Sequence, residues 1–85
     1  MNEVYLTRID SDRNMARYYR MSVQPTLFGE WAVVREWGRI GQGGHVLTVP
    51  FSSEAEASDT LASIEHIKRR RGYGSTLAER AIVAG

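Results

Sequence analysis

Tryptophan, glycine and arginine follow one another at Trp37-Gly38-Arg39, inside the stretch Arg35-Glu36-Trp37-Gly38-Arg39-Ile40-Gly41-Gln42-Gly43-Gly44. An indole can stack on a base or pack on a ribose, a contact worth about 1–3 kcal/mol per base in single-strand binders. The guanidinium two residues on is a planar fork that fits phosphate, a shape lysine does not offer. Around this pair, Arg35, Arg17, Asn14 and Gln42 could supply phosphate or sugar contacts, with Lys68, Arg70 and Arg71 as a more peripheral basic spot. A plainer account is equally open at this point, in which Trp37 simply fills a core at the end of a strand.

Other chemistry finds little support. The chain has no cysteine, which removes thiolate catalysis, disulfides and cysteine-based zinc sites. Its histidines are His45 and His66, and no serine stands in an elbow-type motif. Glu65 and His66 are sequence neighbours, so on a helix they do not face each other, and an exposed helical histidine is the simpler reading. The glycine-rich run after Gly38 lacks the Lys-Ser/Thr of a phosphate-binding P-loop and leads into a strand instead of a helix. No catalytic residue, metal or cofactor is expected, and the chain reads as a non-enzyme.

The elements that would position these residues follow from pattern. Glu3 to Asp10 alternates loosely and predicts a first strand. Asp10-Ser11-Asp12-Arg13-Asn14 is rich in side chains that bond their own backbone, as turns are. Arg17 to Gln24 predicts a second strand, with Tyr19, Met21 and Val23 on one face and Tyr18, Arg20 and Ser22 on the other. Pro25 to Gly29 ends it, and Glu30 to Gly38 forms the third strand, an antiparallel partner of the second. His45 to Phe51, stopped near Pro50, is the fourth. Counting by twos sets Trp31, Val33, Arg35 and Trp37 on one face, which mixes core with charge. Either Arg35 lies at the rim of that core, or a bulge or strand end turns Trp37 outward.

Beyond Phe51 the period lengthens. Ser53-Glu54-Ala55-Glu56 fits a capping box, in which the serine hydroxyl accepts from the Glu56 amide and Glu56 reaches back to the cap amide. A single helix is expected from there to Arg71, with Ala57, Leu61, Ile64 and either Ile67 or the Lys68 stem along its apolar stripe. Acids fill the first turns and Lys68 to Arg71 the last, which suits the helix dipole, and Gly72 is a natural C′ residue. The fold class is α+β: a four-stranded, mainly antiparallel sheet with one long helix packed across a face. Residues 1–75 form the domain, and residues 76–85 a partly ordered tail.

Eighty-five residues hold one domain, and a chain of this size buries only about 60–65% of its unfolded surface. The net charge of +1 conceals segregation. Ten of eleven basic residues are arginine, a bias that arginine-rich codon usage or phosphate recognition would each produce. Six arginines against four acids occupy residues 8–39, four acids and no base occupy 54–65, and 68–71 read Lys-Arg-Arg-Arg. The absence of cysteine and of a visible signal peptide points to the cytoplasm, and no apolar run reaches the length of a membrane span.

Taken together the residues resemble the WGR domain. The likeness extends through Asn14-x-x-Arg17-Tyr18-Tyr19-Arg20-Met21, Leu27-Phe28-Gly29-Glu30-Trp31 and Val34-Arg35-Glu36-Trp37-Gly38-Arg39-Ile40-Gly41. Phe51, Glu54-Ala55 and Lys68-Arg69-Arg70-Arg71-Gly72-Tyr73 complete it, so it covers about residues 4–73. The pattern is closer to the bacterial stand-alone or accessory form than to the version fused to poly(ADP-ribose) polymerases. The resemblance implies a sheet with one helix that binds nucleic acid, DNA ahead of RNA, at ends, nicks or single-strand junctions. In the polymerase-fused members the tryptophan matching Trp37 packs on the sugar at a DNA end beside a 5′ terminus. The arginine matching Arg39 there takes part in communication between domains. Polymerase activity is not implied, because the chain has no room for a catalytic domain. A partner protein docking on the Trp-Gly-Arg edge is the alternative, and no membrane partner is expected.

Overall fold

The computed structural model describes residues 3–74. Four strands, β1 (Glu3–Asp10), β2 (Met15–Pro25), β3 (Trp31–Arg39) and β4 (His45–Phe51), precede one helix, α1 (Glu54–Arg70). The strands lie in chain order β1-β2-β3-β4, and every neighbouring pair is antiparallel. The architecture is α+β, with α1 laid across one face of the meander. The expected tail at 76–85 lies outside the described residues.

Turn chemistry sets the register. After β1, a 3-10 turn at Ser11–Arg13 is capped by Asp10, whose side chain accepts from the Asp12 amide. Asn14 then takes the left-handed conformation at φ 51, which asparagine tolerates. This tight return pairs Asp10 with Met15, so β2 starts two residues earlier than the pattern at Arg17 suggested. At the other end Pro25 still pairs with Trp31 as the last residue of β2. Pro50 lies within β4, an edge strand, where a missing N–H is tolerated.

Alternation places Tyr19, Met21 and Val23 of β2 and Val33 of β3 under the helix, against Ala57 and Leu61. Leu6, Met21 and Val33 are fully buried, each worth about 1.5–3 kcal/mol of transfer free energy. Ile64 packs on this cluster and Ile67 is exposed, so the Lys68 stem continues the stripe.

Both ends of α1 are specified locally. The Ser53 hydroxyl accepts from the Glu56 amide at 3.2 Å. Glu56 does not answer as a capping box requires. Its Oε1 instead accepts from the hydroxyls of Ser52 at 2.7 Å and Ser53 at 3.3 Å. At the C-terminus Tyr73 N–H donates to the Lys68 carbonyl and Gly72 N–H to that of Arg69, a Schellman motif built on Gly72 at φ 99. That motif turns the chain back onto the sheet, and Gly74 bonds to Thr7 at the β1 edge through both backbone groups.

Candidate nucleic-acid interface

The hairpin register runs unbroken from Pro25↔Trp31 to Arg17↔Arg39, and no bulge turns Trp37 outward. Trp37 stays on the helix-side face, as counting by twos requires. It escapes full burial because α1 ends near this point and leaves the last rows of the sheet uncovered. Trp37 is therefore half-buried. One half belongs to the core, and the other is open to solvent.

Cross-strand pairing decides what surrounds it. Tyr19 of β2 is opposite Trp37 on one side and His45 of β4 on the other. The Tyr19 and Trp37 rings stack at 5.8 Å with 15° between planes, and His45 tilts against the indole at 5.8 Å. Tyr73, delivered by the Schellman turn, meets Tyr19 edge-on at 6.3 Å. Arg35, one row deeper, lies over both rings at 5.7 and 5.9 Å, and its Nε donates to the Tyr19 hydroxyl at 2.5 Å.

An open cleft of about 550 Å³ forms above this row, lined by Arg17, Tyr19, Trp37, Gly38, Arg39, His45, Lys68 and Tyr73. Among the described residues its lining carries three basic side chains, Arg17, Arg39 and Lys68, and no acid. Lys68 Nζ sits 4.4 Å from the Tyr19 ring centre and 5.5 Å from that of Tyr73. Contacts of this kind are worth about 0.5–2 kcal/mol. Burial, then the nearby Arg71 and Arg35, hold the Lys68 ammonium below the usual lysine range. Arg39 is steadied by Asn14, donating Nη1–H to its carbonyl at 3.0 Å and Nη2–H to Oδ1 at 3.3 Å. Two of its five N–H donors are thereby used, and the rest remain for a ligand. Asn14 is thus a positioning residue for Arg39.

Several expected site residues stand elsewhere. Gln42 is exposed in the β3–β4 turn, where its amide donates to the Arg39 carbonyl. Arg70 and Arg71 flank a separate depression with Ile67 at the helix end. Conversely, Tyr19, His45 and Tyr73 line the cleft without having been singled out. The hairpin register could have found Tyr19 and His45, since each lies directly opposite Trp37.

The WGR domain family model matches residues 2–80. The chain belongs to the WGR domain family. It is 44% identical over 70 residues to the uncharacterized protein y4dW of Sinorhizobium fredii, a match covering 82% of this chain and 34% of that protein. The chain thus spans about a third of that relative's length. No solved structure matches the chain.

The geometry explains each member of the triplet that names the WGR domain. Trp37 is the half-covered indole and Arg39 the tethered guanidinium. Gly38 has ordinary backbone angles, so its need is steric. A Cβ there would meet the Gly44 Cα at 2.9 Å, and one on Gly44 would meet the Trp37 carbonyl oxygen at 2.2 Å and the Tyr18 hydroxyl at 2.5 Å. Two glycines let the chain leaving the β3–β4 turn cross the backbone of the triplet. On the opposite face Tyr18 stacks on Tyr5 and donates to Glu36 Oε2 at 2.7 Å, while Arg20 donates to Oε1 at 2.7 Å. That network pins Glu36 away from the cleft and leaves the cleft cationic. Among the described residues no helix is long and apolar enough to cross a membrane, and no three His, Cys, Asp or Glu side chains gather as metal ligands.

Proposed function

We propose that this WGR domain is a nucleic-acid-binding module, acting by binding and not by catalysis, that receives DNA at an end, nick or single-strand junction. The observation that carries this reading is the cleft above Trp37. A half-buried indole is surrounded by Arg17, Arg39 and Lys68, with no acid among the described residues of the lining. Aromatic surface plus cations is the composition that single-strand and end-binding sites share.

Rings on both sides of Trp37 limit what it offers. Full face-on stacking of a base would require Tyr19 or His45 to move aside. Packing of the exposed part against a sugar requires no such movement. The preferred contact is therefore a terminal deoxyribose, with Arg17 and Arg39 taking its phosphate. About three phosphate contacts give a slope of log K against log[salt] of roughly −2 to −3.

An NMR titration tests this reading. A short 5′-phosphorylated DNA duplex should shift the Trp37 indole and Arg39 Nε–H resonances, and an RNA hairpin should shift them less. Shifts confined to other surfaces contradict the proposal.

A protein-docking role has its own observation. Leu27 and Phe28, 99% and 87% exposed, form the tip of the β2–β3 hairpin. That tip lies at the opposite end of the hairpin from the triplet, so docking there would leave the Trp37 cleft free. A pull-down that recovers a protein partner from wild type but not from Leu27→Ser/Phe28→Ser supports that role; equal recovery excludes the tip.

A further inference from the structure

Arg8, Arg17 and Arg39 are directly opposed across three adjacent strands. All three sit on the helix-side face, in the row immediately beyond Leu6, Tyr19 and Trp37. Like charges directly opposite one another destabilise a sheet. Here three occur in succession in a chain whose net charge is only +1.

Among the described residues no acid pairs with the row: Asp10, one row further on the same face, is taken up by Arg13 at 3.7 Å and by the Asp12 amide at 3.2 Å. Arg8 and Arg17 make no hydrogen bond or ion pair with any described residue. Arg39 is held by Asn14, which accepts two hydrogen bonds but brings no negative charge. The C-terminus of α1 is close, since a Cβ on Gly72 would lie 3.3 Å from Arg8 Nε. Yet the carbonyls of Ile67, Lys68 and Arg69 already accept from Arg71, Tyr73 and Gly72. Gly72 therefore does two things: it closes the helix, and it leaves room for the Arg8 side chain.

We propose that Arg8, Arg17 and Arg39 form a phosphate track, along which a nucleic-acid strand ending at Trp37 continues across the sheet from β3 to β1. Arg8 then contacts a phosphate internal to that strand. The inference rests on the reading of the Trp37 cleft as a nucleic-acid site. Two interstrand spacings separate the outer arginine backbones by roughly 10 Å. A cationic row of that span reaches past a single terminal phosphate and is matched by successive phosphates of one strand.

The test uses fluorescence anisotropy with a labelled 5′-phosphorylated duplex and a labelled 5′-mononucleotide over a salt series. Arg8→Gln is expected to weaken the duplex complex by about tenfold, as loss of one charge-assisted hydrogen bond would. It should reduce the magnitude of the salt slope by about 0.7–0.9 and leave mononucleotide binding unchanged. Arg8→Lys should restore the slope. Because removing one like charge relieves the row, the melting temperature of Arg8→Gln should not fall; a clear fall would mark Arg8 as structural and count against the track. Duplex affinity and slope unchanged in Arg8→Gln, with Trp37→Ala still impaired, overturn the track alone. Affinity indifferent to both substitutions overturns the track and the cleft together. Polyglutamate bound as tightly as the duplex shows an acidic-peptide site instead and also overturns the track.

Discussion

At the residue scale, the proposed function turns on how much of Trp37 the fold leaves uncovered and on which charges meet there. Tyr19 and His45 fix the indole from both sides, and Arg39 is held ready by Asn14. Asn14→Gly preserves the left-handed backbone and the carbonyl acceptor while removing Oδ1. It should weaken duplex binding about twofold to fivefold, the loss of roughly 0.5–1 kcal/mol of positioning, with little change in melting temperature; a titration and a melt check both. Lys68 adds a pH dependence. Burial and neighbouring cations lower its folded pKa, and only the ammonium form attracts phosphate. Affinity should therefore fall as pH rises through that lowered value, before the ordinary lysine range near about 10.4. Lys68→Met should flatten this part of the profile, measured as Kd against pH.

At the scale of elements, the crossing of Gly38 and Gly44 joins β3 to β4 and holds the triplet in place. Gly44→Ala forces a Cβ against the Trp37 carbonyl. Overpacking of this kind costs about 1–3 kcal/mol, so denaturant unfolding should show a clear loss of stability. Glu36 on the opposite face supplies a second test. Hydrogen bonds from Arg20 and then Tyr18 hold its carboxyl below the usual range. A folded pKa lower than the unfolded value gives stability that is present above about pH 4.3 and is lost as pH falls through the lowered value. Melts between neutral and acidic pH should show this decline in wild type and a smaller one in Glu36→Gln. The effect stays modest because Arg20 is half-exposed. Much of this level was legible in the sequence. Alternation gave the faces of β2 and β3, and Ser53 and Gly72 marked the ends of α1. The rest depended on three-dimensional proximity. The early start of β2 at Met15 followed from a 3-10 turn, and Glu36 was tied down by residues 16 and 18 positions away. Gln42 is suggested by its place beside the triplet, and Arg70 and Arg71 as a peripheral basic spot; Arg70 and Arg71 line a depression of their own with Ile67, and Arg71 is near enough to Lys68 to act on its charge.

At the scale of the whole molecule, a net charge of +1 resolves into two ends. The C-terminus of α1, the Trp37 cleft and the row Arg8-Arg17-Arg39 share one end of the sheet. Glu54 and Glu56 in the first turn of α1 lie towards the other, with the exposed Leu27-Phe28 tip. The eight residue steps of β2 from Arg17 to Pro25 separate these ends by roughly 27 Å, more than two Debye lengths at physiological salt. Glu54 and Glu56 therefore do little to weaken the cationic end, where Asp10 and Asp12 of the β1–β2 turn are the local acids. A protein partner docked on the Leu27-Phe28 tip would therefore leave the Trp37 cleft open. The central claim is that the half-covered Trp37 is a nucleic-acid contact and not a strand-end core residue alone. The most direct measurement is a low-salt titration of a fluorescent 5′-phosphorylated duplex against wild type, Trp37→Ala and the exposed-residue variant Arg17→Gln, with folding checked by circular dichroism. Trp37→Ala should lose roughly fivefold to a hundredfold in affinity, and Arg17→Gln should lose affinity while remaining as stable as wild type. Equal affinities for all three, or no wild-type binding below about 100 μM where phosphate contacts are strongest, would contradict the claim.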